Sequence, residues 1–578
     1  MRAIKDDVAR KGVDRMTATV NGTAATGAVQ GLWQRQLEHY PETRNRMWYL
    51  AIVVLATIML YYELYIGGAV SPNIIAGFGM TFPFYVYISV VGNAIGAFGS
   101  LLAGLADRWG RANLVAYGLV ITALLTLFGI PNAHDKWTFA ILSVIIGLVE
   151  GVILVATPAL VRDFSPQLGR ASAMGFWTLG PVMGSLVVAI VSSNTVNHLG
   201  AWQDQYIITG IVGLVIGVIA LFGLKELSPR LRDQLMVSLH DRALIEARAR
   251  GLDVEAAMGR SPWRQMMHLD VIGSAFAISV FLLVYYTAVG FFTVYFTTLH
   301  GFSLSKANSI GDWFWAFDAG VLIIIGIISD RVRVRKPFMV IGAIGAIVFM
   351  IIFLNLGATT SYSTFVVVIS LLAAFLAIAY APWMASFTET VEKHNPALIA
   401  TGLAVWGWII RVVIAVSVLI LPSVISSMTP LVTYGSQAAT ISAQYAPQLA
   451  TLAAIDPQTQ AALQASPSDT AAQAKAVGEI ATTFKISPTD AGARLVALSK
   501  VPQADLVFLG EHGKDVQNAA ASAPGQWKAW WWVCVGGMVL FLPFVFVMTG
   551  RWSPRKARQD AEEHERKVQE ELAALQEA

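Results

Sequence analysis

Four ionisable residues stand inside apolar runs, where charge is costly. They are Glu63 in Tyr61-Tyr62-Glu63-Leu64-Tyr65, Glu150 in Gly147-Leu148-Val149-Glu150-Gly151, Asp318, and Arg411 in Trp406-Gly407-Trp408-Ile409-Ile410-Arg411. A charge at bilayer depth costs at least ~2.5–3.5 kcal/mol on insertion scales, so one that persists there has a use. A carboxyl group in an apolar medium can take up and return a proton as its access to water changes. Glu63 and Glu150 are therefore candidate proton carriers; a hydrogen-bonded carboxyl that stays neutral throughout is the structural alternative. Arg411 keeps its charge at any accessible pH and needs an anion. That anion is either Asp318 or a substrate carboxylate held by the guanidinium fork, and the two can follow one another. Asp312 lies nearer the end of its run and reads as a wet residue.

Aromatic residues crowd the same depth: Tyr61, Tyr62, Tyr285, Tyr286, Tyr295, Trp313, Trp315, Tyr380, Trp383, Trp406 and Trp408. Facing lipid is the default for each alone. Those within a turn of Glu63 or Arg411 are better cavity candidates, and Trp408 precedes Arg411 by i,i+3 spacing. Tyr62, Tyr286 and Trp408 are accordingly read with Arg411 and Asp318 as substrate-binding. Aromatic walls around one fixed cation suit a small carboxylate, aromatic or otherwise.

The elements that position these residues follow from hydropathy. Of 578 residues, 56% are apolar and only 13% charged, about half the usual ~25% of soluble domains; mean hydropathy is +0.59. Runs of the ~20 apolar residues needed to cross a bilayer lie near 48–70, 82–105, 112–131, 137–160, 172–192 and 205–224, then 271–297, 308–328, 337–357, 362–387, 398–421 and 528–549. The expectation is an all-α integral membrane protein with twelve transmembrane helices in two six-helix bundles. Its parts are a cytoplasmic N-terminal segment (1–46), a first bundle (47–224), a cytoplasmic linker (225–270), second-bundle helices seven to eleven (271–422), an extracytoplasmic insert (423–526), helix twelve (527–550) and a charged tail (551–578). The insert is rich in Ala, Gln, Ser and Thr and carries helix-start signals at Ser466-Pro467-Ser468-Asp469 and Ser487-Pro488-Thr489-Asp490. It reads as a small helical cap.

Basic residues set orientation. Arg108, Arg111, Arg162, Arg170, the linker and the Arg331–Lys336 cluster share one side, which is therefore cytoplasmic together with both termini. Residues 1–46 contain no short apolar run, which predicts no cleaved signal peptide. The formal charge of +3 gives no argument for nucleic acid, and the lone Cys534 excludes a disulfide framework or a cysteine metal site. No cofactor, metal or nucleophile constellation is apparent.

Two loops then stand in matching places. Gly104-Leu105-Ala106-Asp107-Arg108-Trp109-Gly110-Arg111 follows the second run, and Gly326-Ile327-Ile328-Ser329-Asp330-Arg331-Val332-Arg333-Val334-Arg335-Lys336 follows the eighth. With twelve spans and a central linker, this pattern resembles the Major Facilitator Superfamily over roughly 45–422 and 527–550. The family loop reads Gly-x-x-x-Asp-Arg-x-Gly-Arg-Arg/Lys. Asp107, Arg108, Gly110 and Arg111 fit it, while Ala103 holds the first glycine's place and Ala112 the last basic one. The second copy keeps Gly326, Asp330 and Arg331 and has Arg333 at the second glycine. The resemblance implies two bundles moving about a central site, with these loops as the inner gate. A carboxylate such as Asp107 near a helix N-terminus gains roughly 0.3–1 kcal/mol from the dipole.

Gly180-Pro181-Val182-Met183-Gly184 resembles the span-five motif of superfamily antiporters and reads as a hinge. Gly92, Gly96, Ser100 and Gly104 make a small-residue stripe, suited to a sliding contact or to ordinary tight packing. The family's span-four arginine is replaced by Ser143, so Glu150, about two turns on, is the candidate substitute.

Together these readings give a secondary carrier in the plasma membrane, a functional monomer and not an enzyme. It takes up a small organic anion with protons by alternating access. A drug–proton antiporter is the second reading, favoured by the span-five motif and the acidic, aromatic depth.

Overall fold

A computed structural model describes residues 33, 35–101, 109–165, 170–229, 231, 262–395 and 398–577, without the side chains of 99–101, 162, 170–178, 262, 399–400, 561, 564 and 571–577. The chain is helical almost throughout. The first bundle contains α1 (Thr43–Ala69), α2 (Ser71–Gly77), α3 (Phe82–Leu101), α4 (Arg111–Leu124), α5 (Lys136–Phe164), α6 (Arg170–Leu199) and α7 (Trp202–Gly223). The second contains α8 (Leu269–Phe281), α9 (Leu283–Leu299), α10 (Leu304–Val332), α11 (Lys336–Leu354), α12 (Tyr362–His394) and α13 (Ile399–Val424). Then come α14 (Met428–Gln444), α15 (Ala446–Ala453), α16 (Pro457–Ala465), α17 (Thr470–Phe484), α18 (Pro488–Leu498), α19 (Gln503–Val547) and α20 (Pro554–Glu577). Among the described residues, eleven helices are long and apolar enough to cross a membrane, and twelve if α2 and α3, bent by 114° to each other, form one span.

Local chemistry explains the helix ends. Asp135 accepts from the N–H groups of Trp137 and Thr138 to start α5, Ser303 caps α10, and Ser361 caps α12. Ser487 and Asp469 cap α18 and α17 in the same way.

Three elements differ from the simple span count. The residues expected as one helix at 271–297 divide at Leu282 into α8 and α9, one turn before Tyr285 and Tyr286. The connection after α1 is itself a short helix, α2, that turns back across the end of the bundle. The last helix does not begin at 527: α19 is a continuous 45-residue helix. At 1.5 Å per residue it is ~67 Å long, so more than half of it projects beyond a ~30 Å hydrocarbon core.

The glycine stripe of α3 lies against α5 of its own bundle. A Cβ on Gly96 would sit 2.8 Å from the Gly147 carbonyl oxygen, one on Gly147 would sit 3.0 Å from the Gly92 oxygen, and one on Gly151 would run into Gly96. These glycines thus serve close packing within one bundle. Gly151→Val should therefore cost at least the ~1–3 kcal/mol of an overpacked core, read as a lower thermal midpoint of the detergent-solubilised protein.

Candidate functional site

The two bundles meet along a seam where α1 faces α9, α6 runs against α10, and α3 lies beside α13. Side chains converge on the middle of this seam. Tyr61 and Tyr65 share one face of α1, with ring centroids 5.4 Å apart. Tyr61 is within electrostatic reach of both Arg411 on α13 and Glu150 on α5. Tyr286 on α9 lies near Tyr61, Tyr65 and Tyr380 of α12, and Tyr380 lies near Asp318. Tyr61, Tyr65, Tyr285, Tyr286, Tyr380 and Arg411 are all half-buried. The result is a tyrosine-lined centre with one guanidinium and two carboxyl groups at its edge.

Sequence offered Asp318 as one of two possible partners of Arg411. In the structure its described partner is instead the Tyr285 hydroxyl, which donates to Oδ1. Asp318 is fully buried, and Oδ2 has no hydrogen-bond partner among the described residues. Glu150 is 1% exposed, with neither oxygen hydrogen-bonded among the described residues; Tyr61, Tyr65, Tyr206 and Glu63 surround it. Glu63 is also buried but points elsewhere. It lies beside Thr122 of α4 and against Gly213 of α7, in the interior of the first bundle. Ser143 donates only to the Phe139 carbonyl of its own helix.

Two aromatic expectations need correction. Tyr62 is 1% exposed and turned toward Thr209 of α7, so it does not reach the seam; Tyr61, one residue earlier, does. Trp408 is 66% exposed and belongs to a stripe with Val412, Val416 and Leu419, all apolar and exposed. Trp408 is thus not packed around Arg411, and an exposed apolar stripe of this kind suits a lipid-facing side. Tyr61, Tyr65, Tyr285 and Tyr380 replace these two as lining residues. The i,i+4 spacing of Tyr61 and Tyr65 is the signal that could have found the first pair.

Pro181 lies inside the unbroken α6, and its flanking glycines serve close packing on α1. A Cβ on Gly180 would be 2.5 Å from Thr57 Cγ2, and one on Gly184 would be 2.5 Å from Tyr61 Cβ. These small residues thus let α6 approach the turn that presents Tyr61.

Each loop, in its described part, carries a positive-φ residue and an arginine paired to an acidic side chain. Gly104, Asp107 and Arg108 lie outside the described residues. Gly110 has φ +88°. Arg111 reaches Asp163 at the end of α5 with contacts of 2.8 and 2.9 Å, while its backbone N–H donates to Glu226 Oε2 at 2.6 Å. Glu226 stands in a two-residue parallel pairing, β1 (Gln36–Leu37) with β2 (Glu226–Leu227). In the second half, Arg333 takes φ +58° where the first loop has Gly110. The matching ion pair comes from Arg335, which holds Glu389 at the end of α12 at 3.2 Å and Asp330 at 2.8 Å. Arg331 is exposed, and Gly326 has open space around its Cα. The left-handed turn at 333 is what returns Arg335 toward α12, and a run of alternating basic residues does not announce it.

These turns differ in what they tolerate. A left-handed conformation costs a residue with a Cβ roughly 1–2 kcal/mol. At Gly110 a Cβ would also come 2.5 Å from Glu226 Oε1. Gly110→Ala should lower stability by at least ~2 kcal/mol, the conformational cost plus crowding. Arg333→Gly should be nearly neutral, because relief of strain is offset by the ~0.5–1 kcal/mol entropy cost of glycine. Thermal midpoints of the two variants side by side check this.

At the far end from these loops the seam is shut. Asn308 Nδ2 of α10 donates to the Ala69 carbonyl of α1 at 3.0 Å, Ser193 Oγ of α6 donates to Asp312 Oδ2 at 2.9 Å, and Ser305 Oγ donates to the Ser193 carbonyl at 2.5 Å. Gly68 has no room for a Cβ beside the Val289 carbonyl. A cavity of ≈ 30 Å³ lies there, lined by Tyr65, Ser185, Asn308 and Trp315 among others. Asp312, expected to be wet, is thus half-buried and bonded across the seam.

With a two-bundle seam and paired loops in view, the comparisons agree. A family model for the Major Facilitator Superfamily matches residues 49–418, more than half of the chain. The chain belongs to the Major Facilitator Superfamily. A solved bacterial homologue of the human lysosomal transporter Spinster, inward-facing and occupied, has the same fold (TM-score 0.52, 14% identity, covering 88% of this chain and 97% of that one). Similar sequences include "Probable anion transporter 3, chloroplastic" of Oryza sativa subsp. japonica, 23% identical over 42% of this chain and 48% of that protein. The niacin transporter NiaP of Acinetobacter baylyi is 33% identical over 23% of this chain and 30% of its own length. The chain thus spans about half the length, or less, of these curated relatives. As a superfamily member it is a multi-pass membrane protein.

Proposed function

We propose that this carrier takes up a small organic anion together with protons, by alternating access, across the plasma membrane. The observation that carries the reading is the juxtaposition at mid-seam: one guanidinium, Arg411, beside Tyr61, with Glu150 against the same tyrosine from the other bundle. Arg411 supplies the fixed positive charge that a carboxylate needs. The half-buried tyrosines supply hydroxyl donors and ring faces, which suits an aromatic carboxylate. Glu150 lacks hydrogen-bond partners among the described residues, so its proton occupancy is free to follow the access of water.

The names of two relatives, an anion transporter and a niacin transporter, support an anionic cargo. Glu63, deeper in the first bundle and within reach of Glu150, serves as the second proton site. Asp318 and Tyr285 form the matching polar centre of the second bundle. The paired loops face the cytoplasm with both termini and form the inner gate, as the basic residues of those loops suggest.

The test is uptake by the purified protein in liposomes with an imposed pH gradient. A panel of radiolabelled aromatic and aliphatic monocarboxylates should include at least one accumulated when the outside is acidic. Cation-selective, efflux-linked movement of amphipathic drugs with no acid uptake would replace this reading with drug–proton antiport.

A further inference from the structure

The residues between α13 and α19 contain one helix that belongs to neither bundle's membrane core yet touches both. α14 packs along α19 and against α9 of the second bundle, and it also meets α2 and α3 of the first. Its attachment to the second bundle is specific. The Ser427 N–H donates to Gln526 Oε1 at 2.9 Å, Trp527 Nε1 and Thr298 Oγ1 both point at Met428 Sδ, and Tyr434 stacks on His512 at 3.8 Å. α14 must therefore travel with α19. Its inward face is apolar: Met428 and Val432 are buried in the common hydrophobic core and Leu431 packs against it, and the helix meets α2 and α3 there.

α14 thus bridges the seam between α2–α3 and α9 at the same end as the Asn308–Ala69 bond. The helices α15 to α18 beyond it pack on a separate small core around Ile455, Ala476, Ile480 and Leu498. They add bulk but no described seal. For the seam to open at this end, α2 and α3 must part from α9 and α10. A helix fixed to α19 and buried against α2 and α3 has to let go at that moment.

We propose that α14 is a strap: it holds the outer mouth closed, and its release from α2–α3 is an obligatory step of each cycle. The insert would then set the balance between outward- and inward-open states. This inference rests on the alternating-access reading but predicts a conformational signal that needs no substrate.

The experiment uses the full chain with Cys534→Ala and a reporter, Ala189→Cys. Ala189 is 5% exposed, and a Cβ on Gly311 across the seam would be 3.2 Å from its own Cβ. Intact cells are treated with a membrane-impermeant maleimide, so that only the outer face is reached. Val432→Asp places a carboxylate in the strap's apolar contact, and Thr440→Asp, on an exposed turn of the same helix, is the control. The expected result is a rise of about tenfold or more in labelling rate for Val432→Asp over the control. Leu431→Ala, which only trims the contact, should give a smaller rise and serves if Val432→Asp does not fold. Labelling by folded variants within twofold of the control would overturn the strap. Raised labelling without acid uptake would leave the strap standing and remove the proposed cargo. Unchanged labelling with intact uptake would do the reverse.

Discussion

Arg411→Gln is expected to abolish anion uptake while leaving the fold intact. A charge-assisted hydrogen bond is worth ~1.5–3 kcal/mol, and each 1.4 kcal/mol is about tenfold in affinity. A loss of about tenfold in kcat/KM is therefore the smallest effect consistent with an anchoring role, and about 10²-fold the upper end for one such bond. Gln is shorter and uncharged but keeps two donors and the aliphatic stem, so the protein should still purify as a monodisperse species. Arg411→Lys separates charge from geometry. A point charge without the planar fork should recover part of the binding and none of the bidentate selectivity. Arg411 lies on α13, whose neighbouring stripe of Trp408, Val412 and Val416 is exposed and apolar. Trp408→Leu, by contrast, should change uptake by less than twofold, because Trp408 sits on the lipid side. If Trp408→Leu were as damaging as Arg411→Gln, the assignment of faces on α13 would be wrong.

The second large effect is expected at Glu150. Glu150→Gln should separate transport from the proton gradient. Gln mimics the protonated carboxyl in shape and cannot release a proton, so exchange of labelled for unlabelled substrate should continue. Accumulation driven by an acidic outside should disappear. Glu63→Gln should be milder. Glu63 faces Thr122 and Gly213 away from the seam, so its loss should change coupling stoichiometry or stability before it stops uptake. Counterflow and pH-driven uptake measured on the same liposomes distinguish the outcomes. Loss of both activities on Glu150→Gln would assign Glu150 to substrate contact and leave the proton site to be found elsewhere.

The site was legible in the sequence by depth and illegible by direction. A carboxylate or guanidinium far inside an apolar run is visible from position alone, and Glu63, Glu150 and Asp318 are indeed buried. Which way each side chain points turns on rotation about the helix axis. At about 100° per residue, a shift of one position separates Tyr61 at the seam from Tyr62 in the bundle interior. That rotation is decided by contacts from distant residues. Gly180 and Gly184 let α6 close on the turn of Tyr61. Asp318 was one of two candidate partners for Arg411, matched by charge and by span, and its hydrogen-bond donor is Tyr285, presented by the helix that restarts after Leu282.

The loops show the same division. The two motifs and their halves were readable because each is local: a short charged run between two long apolar ones. The working ion pairs were not. Arg111–Asp163 and Arg335–Glu389 join helix ends more than fifty residues apart in sequence, and the second depends on a left-handed turn at Arg333 that has no sequence signature.

By itself, then, the sequence determined the solvent of this protein, its duplicated plan and the depth of its charges. Those properties follow from run length and composition, which burial in a bilayer reads directly. The tertiary structure alone decided which tyrosines line the centre, that Trp408 lies on an exposed face, that Asp312 bonds across the seam, and that α14 bridges both bundles. Each of these is a choice of face or partner. It is made by packing between segments far apart in the chain, for which local pattern carries no energy.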